Sequence, residues 1–122
     1  MGIDSTLAYF LGRTAQRFGV SGTLCTLGVQ DIRATPEQLA TILAAAGLPS
    51  TDSAHFYTRL GFSSVESVDV SDFEGCTHIV DLNAQGVPRH LFERYDAVYN
   101  GGTLEHVFDI RASLRNVFEL LK

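Results

Sequence analysis

The sequence predicts an α/β fold with a mainly parallel sheet, and three observations carry that prediction. Short β-rich runs alternate with stretches of helical periodicity along the whole chain. That alternation implies crossover connections between parallel strands. The helical stretches carry their own start and stop signals, and no repeat, linker or low-complexity segment interrupts the order. At 122 residues, 45% hydrophobic and 19% charged, the chain has the size and balance of one ordinary globular domain rather than a disordered one.

Each element follows from local chemistry. Leu7, Phe10, Leu11 and Phe18 lie on a helical stripe, with Asp4 or Ser5 as cap, so an amphipathic helix is expected over residues 1–19. Gly19 and Gly22 bracket a turn, and the run at 23–27 is β-rich and short enough for a buried strand. Thr35 and Gln38 form a capping box with Pro36 at the first helical position. Leu39, Ile42, Leu43 and Ala46 give that helix its apolar face, and Gly47 closes it. A shorter helix is expected over 53–60, with Phe56 and Leu60 inward and Gly61 as its stop. Strands follow at 64–70, 77–82 and 95–100, with a short helix near 89–93 between the last two. Ile110, Leu114, Val117, Phe118 and Leu121 trace a final amphipathic helix capped by Asp109.

Charge and composition narrow the function classes. A net charge of −5 and nine scattered Lys and Arg residues give no basic stripe, so nucleic acid is not the expected partner. No apolar run approaches the roughly 18 residues of a membrane span, and the first residues lack the features of a signal peptide. A cytoplasmic protein with no membrane partner is therefore expected. Two cysteines and four histidines show neither disulfide density nor metal-ligand spacing, so no metal site is expected and the thiols read as reduced.

In open parallel sheets ligands bind beyond the carboxyl ends of the strands, near the point where strand order reverses. Asp69 sits among valines near the end of the second strand, where a carboxylate can accept hydrogen bonds from ribose hydroxyls or cap a turn. Asp81 and Asn83 follow the third strand, placed either to meet a base edge or to form an Asx turn. Asn100, Gly101 and Gly102 follow the fourth, where glycines let the backbone pass close to a ligand. Glu105 and His106 come next as weak candidates for acid-base work, with no orienting partner identifiable. After the first strand stands a single glycine, Gly28, followed by Val29 and Gln30.

The segments VDVSDFEG, HIVDLN and YDAVYNGGTLEHVFDIRASLRNVFELLK together resemble the strand regions of class I S-adenosylmethionine-dependent methyltransferases, over roughly residues 23–122. The resemblance implies a Rossmann-like three-layer α/β/α fold, with residues 20–122 as a partial, N-terminal portion of that core in a single domain over 1–122. It implies S-adenosylmethionine as cofactor. Gly28 would lie by its methionine part, Asp69 on the ribose, Asp81 and Leu82 beside the adenine, and Asn100, Gly101 and Gly102 at the transfer site. The acceptor would be an unidentified small molecule, methylated in line without a covalent enzyme intermediate.

Two features depart from that family. Its G-x-G-x-G loop is reduced here to Gly28. The family also continues past this point with further strands, which leaves the fourth strand as an exposed edge and leads to the expectation of a homodimer through that edge or the final helix. Two readings follow: a methyltransferase or a fragment of one, and a non-catalytic domain of the same fold acting as an interaction module. Val29 and Gln30 filling the turn would favour the second. A dehydrogenase is disfavoured by the missing G-x-G-x-x-G.

Overall fold

The computed structural model describes residues 2–122. In chain order the strands are β1 (Gly2–Ile3), β2 (Gly22–Leu27), β3 (Asp31–Ile32), β4 (Phe62–Asp69), β5 (His78–Ile79) and β6 (Ala97–Asn100). The helices are α1 (Ser5–Phe18), α2 (Pro36–Ala45), α3 (Phe56–Arg59) and α4 (Ile110–Leu120). Four strands form one sheet in the order β5-β4-β2-β6, every pair parallel, so the fold is α/β. The chain steps outward from β2 to β4 and β5, then returns to the other side of β2 at β6. This order is compatible with a Rossmann-like sheet, and the reversal falls between β2 and β6.

Side-chain alternation along β2 divides the interior in two. Leu24 joins residues of α1, α2 and α3 in one core, whereas Cys25 and Leu27 point into a second, closed by α4 through Leu120 and by Leu91 and Tyr95. Helices thus cover both faces. Among the described residues no helix is long and apolar enough to cross a membrane.

The helix ends follow the sequence signals. Asp4 accepts from the Leu7 amide, Thr35 and Gln38 complete their capping box, and Asp109 accepts from the Ala112 amide. The buried faces do not all follow. In α1 the buried residues are Ala8, Leu11, Gly12 and Ala15, while Phe10 and Phe18 are 62% and 70% exposed. Small residues win because they let α1 approach its neighbours closely: a Cβ on Gly12 would lie 3.7 Å from Leu60 and 3.9 Å from Ile42. In α4 the inward residues are Ser113, Asn116 and Leu120, and the expected Ile110, Leu114 and Phe118 stripe is exposed. The cause is hydrogen bonding. Ser113 Oγ and Asn116 Nδ2 donate to the Leu82 carbonyl, Asn116 Nδ2 also reaches the Ala84 carbonyl, and the Gly86 amide donates back to Asn116 Oδ1. A loop with buried carbonyls selects polar partners over apolar ones.

Several strands and short helices also differ in extent from expectation. The third strand is confined to His78–Ile79, because after the Val80 amide bonds to the Asp69 carbonyl the chain turns at Asp81. The second starts earlier, at Phe62, and ends at Asp69, whose Oδ1 accepts from the Val70 amide. The fourth begins at Ala97 rather than Tyr95, since Tyr95 pairs with Leu121 in an isolated parallel bridge. The expected helix at 89–93 is a single 3-10 turn, Arg89–Leu91, and that over 53–60 is a 3-10 turn running into α3. One unanticipated pair, β1 with β3, places Ile3 fully inside the first core.

Candidate functional site

The carboxyl ends of β4 and β5, with the segment after β6, enclose a hollow of about 240 Å³. Its walls are apolar where Val68, Val80, Leu82 and Val107 meet, and its polar rim comprises Asp69, Asp81, Asn83, Thr103 and His106. An apolar slot with convergent polar groups at strand ends is the arrangement in which parallel sheets gather ligands. A larger depression of about 510 Å³ lies between α1 and α2, lined by Ser5, Tyr9, Glu37 and Gln38 among others. It is lined by the first turns of these two helices and shares no residue with the hollow.

The rim acids are held by local bonds that leave part of each carboxylate for other uses. Asp69 Oδ1 accepts from the Val70 amide at 2.7 Å. Asp81 Oδ1 accepts from the Asn83 amide at 2.9 Å and from Asn83 Nδ2 at 3.1 Å. These bonds fix where the acids stand, and among the described residues the second oxygen of each accepts no hydrogen bond, which leaves it for a ligand donor. Asn83 is committed: its Oδ1 accepts from the Phe108 and Asp109 amides, tying the turn after β5 to the start of α4.

The structure brings together Asp69, Asp81, Leu82, Asn83, Gly102 and His106 of the candidates named from sequence. The others stand apart. Asn100 is spent on the backbone, its Oδ1 accepting from the Thr103 and Leu104 amides. Glu105 is exposed and does not line the hollow, and the exposed His106 imidazole makes no hydrogen bond among the described residues. Thr103 and Val107 line the hollow without having been singled out; only their position after β6 could have signalled them.

Gly28 and Gly101 belong to a second place, the crevice between β2 and β6. Gly28 has φ of 77°, a conformation that favours glycine, and its amide donates to the Val68 carbonyl. Here the side chain of Gln30 folds back, Nε2 donating to the Leu27 carbonyl at 3.2 Å. A Cβ on Gly101 would lie 2.8 Å from Gln30 Oε1 and 2.6 Å from the Tyr99 ring. Thr103 Oγ1 closes the same strand end by donating to the Leu27 carbonyl at 2.6 Å. The crevice is therefore filled, and the open space lies to one side of it.

A different set of charges gathers toward the amino ends of β5 and β6. Glu66 accepts two bonds from Arg94, at 3.0 and 2.6 Å, and one from the Tyr95 hydroxyl at 2.6 Å, and it pairs with His78 Nε2 at 2.9 Å. The Arg94 hydrogen bonds, above all, bring its carboxyl down to about 2. Asp96 is held at about 2 by the Thr23 amide and by Lys122. Cys25 lies fully buried beneath the sheet, and burial pushes its thiol up to about 12, which keeps it protonated and inert.

No protein-family model matches this chain, and no curated protein or solved structure matches it. Fold and site together define a parallel α/β domain with a small acid-rimmed hollow at its strand ends.

Proposed function

We propose that this chain is a methyltransferase-like domain that binds the adenosyl group of its ligand in the hollow, with the ribose hydroxyls on Asp69 and the base between the Asp81–Leu82 turn and Val107. The observation that carries this reading is the position of the hollow: an apolar slot rimmed by two carboxylates, each with one oxygen left over, where β4 and β5 end. A volume of about 240 Å³ falls below the roughly 300–1,000 Å³ of clefts that enclose drug-sized ligands, which suits one nucleoside rather than a longer molecule.

The whole of S-adenosylmethionine does not fit. Its amino-acid tail would need the crevice by Gly28, which Gln30 occupies. That same filling favours the non-catalytic reading over methyl transfer to a small-molecule acceptor, and among the described residues His106 has no partner to orient it as a base. Calorimetric titration with adenosine tests the site: micromolar binding that weakens about tenfold in Asp69→Ala is expected, and equal binding by both proteins would sink the assignment.

For a partner, the reading points to a second copy of the chain, paired along the edge of β6. What supports it is that β6 ends the four-stranded sheet, with an isolated bridge from Tyr95 to Leu121 just before it, while Ile110, Leu114 and Phe118 form an exposed apolar row on α4. Sedimentation equilibrium is expected to give twice the chain mass, reduced by Phe118→Glu. A monomer at all concentrations would end this proposal.

A further inference from the structure

We infer that Gln30 is the specificity-determining residue of the hollow: by closing the crevice between β2 and β6 it restricts the ligand to a nucleoside carrying no amino-acid or phosphate tail. The inference rests on the nucleoside reading above and adds to it the residue that sets the ligand's length.

Parallel sheets hold long ligands across the crevice where strand order reverses, and they use glycines there so that a charged tail can approach the backbone. In this chain that crevice carries Gly28 and Gly101, with a folded-back amide between the strand ends. Gln30 Nε2 is anchored on the Leu27 carbonyl, and its Oε1 packs over Gly101. The adjoining Gly102 and Thr103 line the hollow, and Thr103 Oγ1 shares the Leu27 carbonyl with Gln30 Nε2, so the plug adjoins the hollow without lining it.

The closed arrangement leaves polar groups unsatisfied. Gln30 Oε1, the Tyr99 hydroxyl and the Tyr57 hydroxyl are all buried without a hydrogen-bond partner among the described residues. Buried groups without a partner are rare in folded proteins. Burial raises the Tyr57 hydroxyl, as do neighbouring Tyr99 and Asp31, so both phenols stay protonated and able to donate. With the Gln30 side chain gone, space opens beside Gly101 and the Tyr99 ring, which is why truncation at this one position should admit a longer ligand.

The test is calorimetric titration of the full chain, of Gln30→Ala and of Gln30→Met, with adenosine and with S-adenosylhomocysteine as probes. Met fills the same space without the amide. The wild-type protein is expected to bind adenosine at least as tightly as S-adenosylhomocysteine. Gln30→Ala should tighten S-adenosylhomocysteine binding by about tenfold and leave adenosine within about twofold, and Gln30→Met should behave as wild type. A wild-type preference for S-adenosylhomocysteine of about tenfold or more, a discrimination unchanged by Gln30→Ala, or a Gln30→Met that matches Gln30→Ala would each overturn the role of Gln30 while leaving adenosine binding intact. Absence of adenosine binding in all three folded proteins would overturn the nucleoside reading and this inference together.

Discussion

The acids at the two ends of the sheet are used in opposite ways. Toward the amino ends, Glu66 and Asp96 are saturated: Glu66 receives Arg94, Tyr95 and His78, and Asp96 receives Thr23 and Lys122. At the carboxyl ends, the Asp69 and Asp81 carboxylates accept, among the described residues, only from Val70 and Asn83 just after them. A carboxylate joined to residues distant in sequence holds elements together, whereas one bonded only to its own turn is positioned without being consumed. The difference separates acids that serve the fold from acids available to a ligand.

The comparison can be broken most severely at Glu66. Glu66→Ala leaves the Tyr95 hydroxyl without its acceptor on a residue 1% exposed, and a loss of about 1–3 kcal/mol in urea unfolding is expected. A loss below a few tenths would mean the network is ornamental. Next comes pH. Glu66 falls from its ordinary 4.5 to about 2 in the folded chain, and Asp96 from 3.8 to about 2. Because both folded values are depressed, their stabilisation is complete above the unfolded values and is lost as pH falls toward 2. The urea midpoint should decline across that window, and Glu66→Gln should flatten the decline; an unchanged slope would remove Glu66 as its source. The smallest effect is expected at the other end. Asp69→Ala and Asp81→Ala should shift stability by no more than about 0.5 kcal/mol, since neither joins distant elements. A larger loss in thermal or urea unfolding would move them into the structural class.

The sequence revealed backbone signals more readily than faces. Caps at Asp4, Thr35 and Asp109 depend on neighbours three residues away and were legible for that reason. The inward side of α4 was not, because Asn116 is buried for the sake of carbonyls more than thirty residues earlier, at Leu82 and Ala84. Periodicity reads apolar stripes as buried and has no way to register such a partner. The same limit applied to α1, where Phe10 and Phe18 drew the stripe outward and the small residues carried the packing. At the site, Asp69, Asp81 and Gly102 were legible from their place after strands. The folded-back Gln30 was legible only as a side chain able to fill its turn, since whether it does so depends on Tyr99 and Gly101, about seventy residues later in the sequence.

The position of β2 has a kinetic consequence. As the central strand it bonds to β4 and β6, and its contact with the start of β6, from the Thr23 amide to Asp96, spans 73 residues. Closing so long a loop costs entropy before any pairing returns it, so the rate of folding should be governed by the arrival of β6. During synthesis β2 emerges well before β6 and waits for it with one side unpaired. Any alteration that slows the capture of β6 therefore lengthens the time in which the most apolar strand of the sheet stands open to other chains.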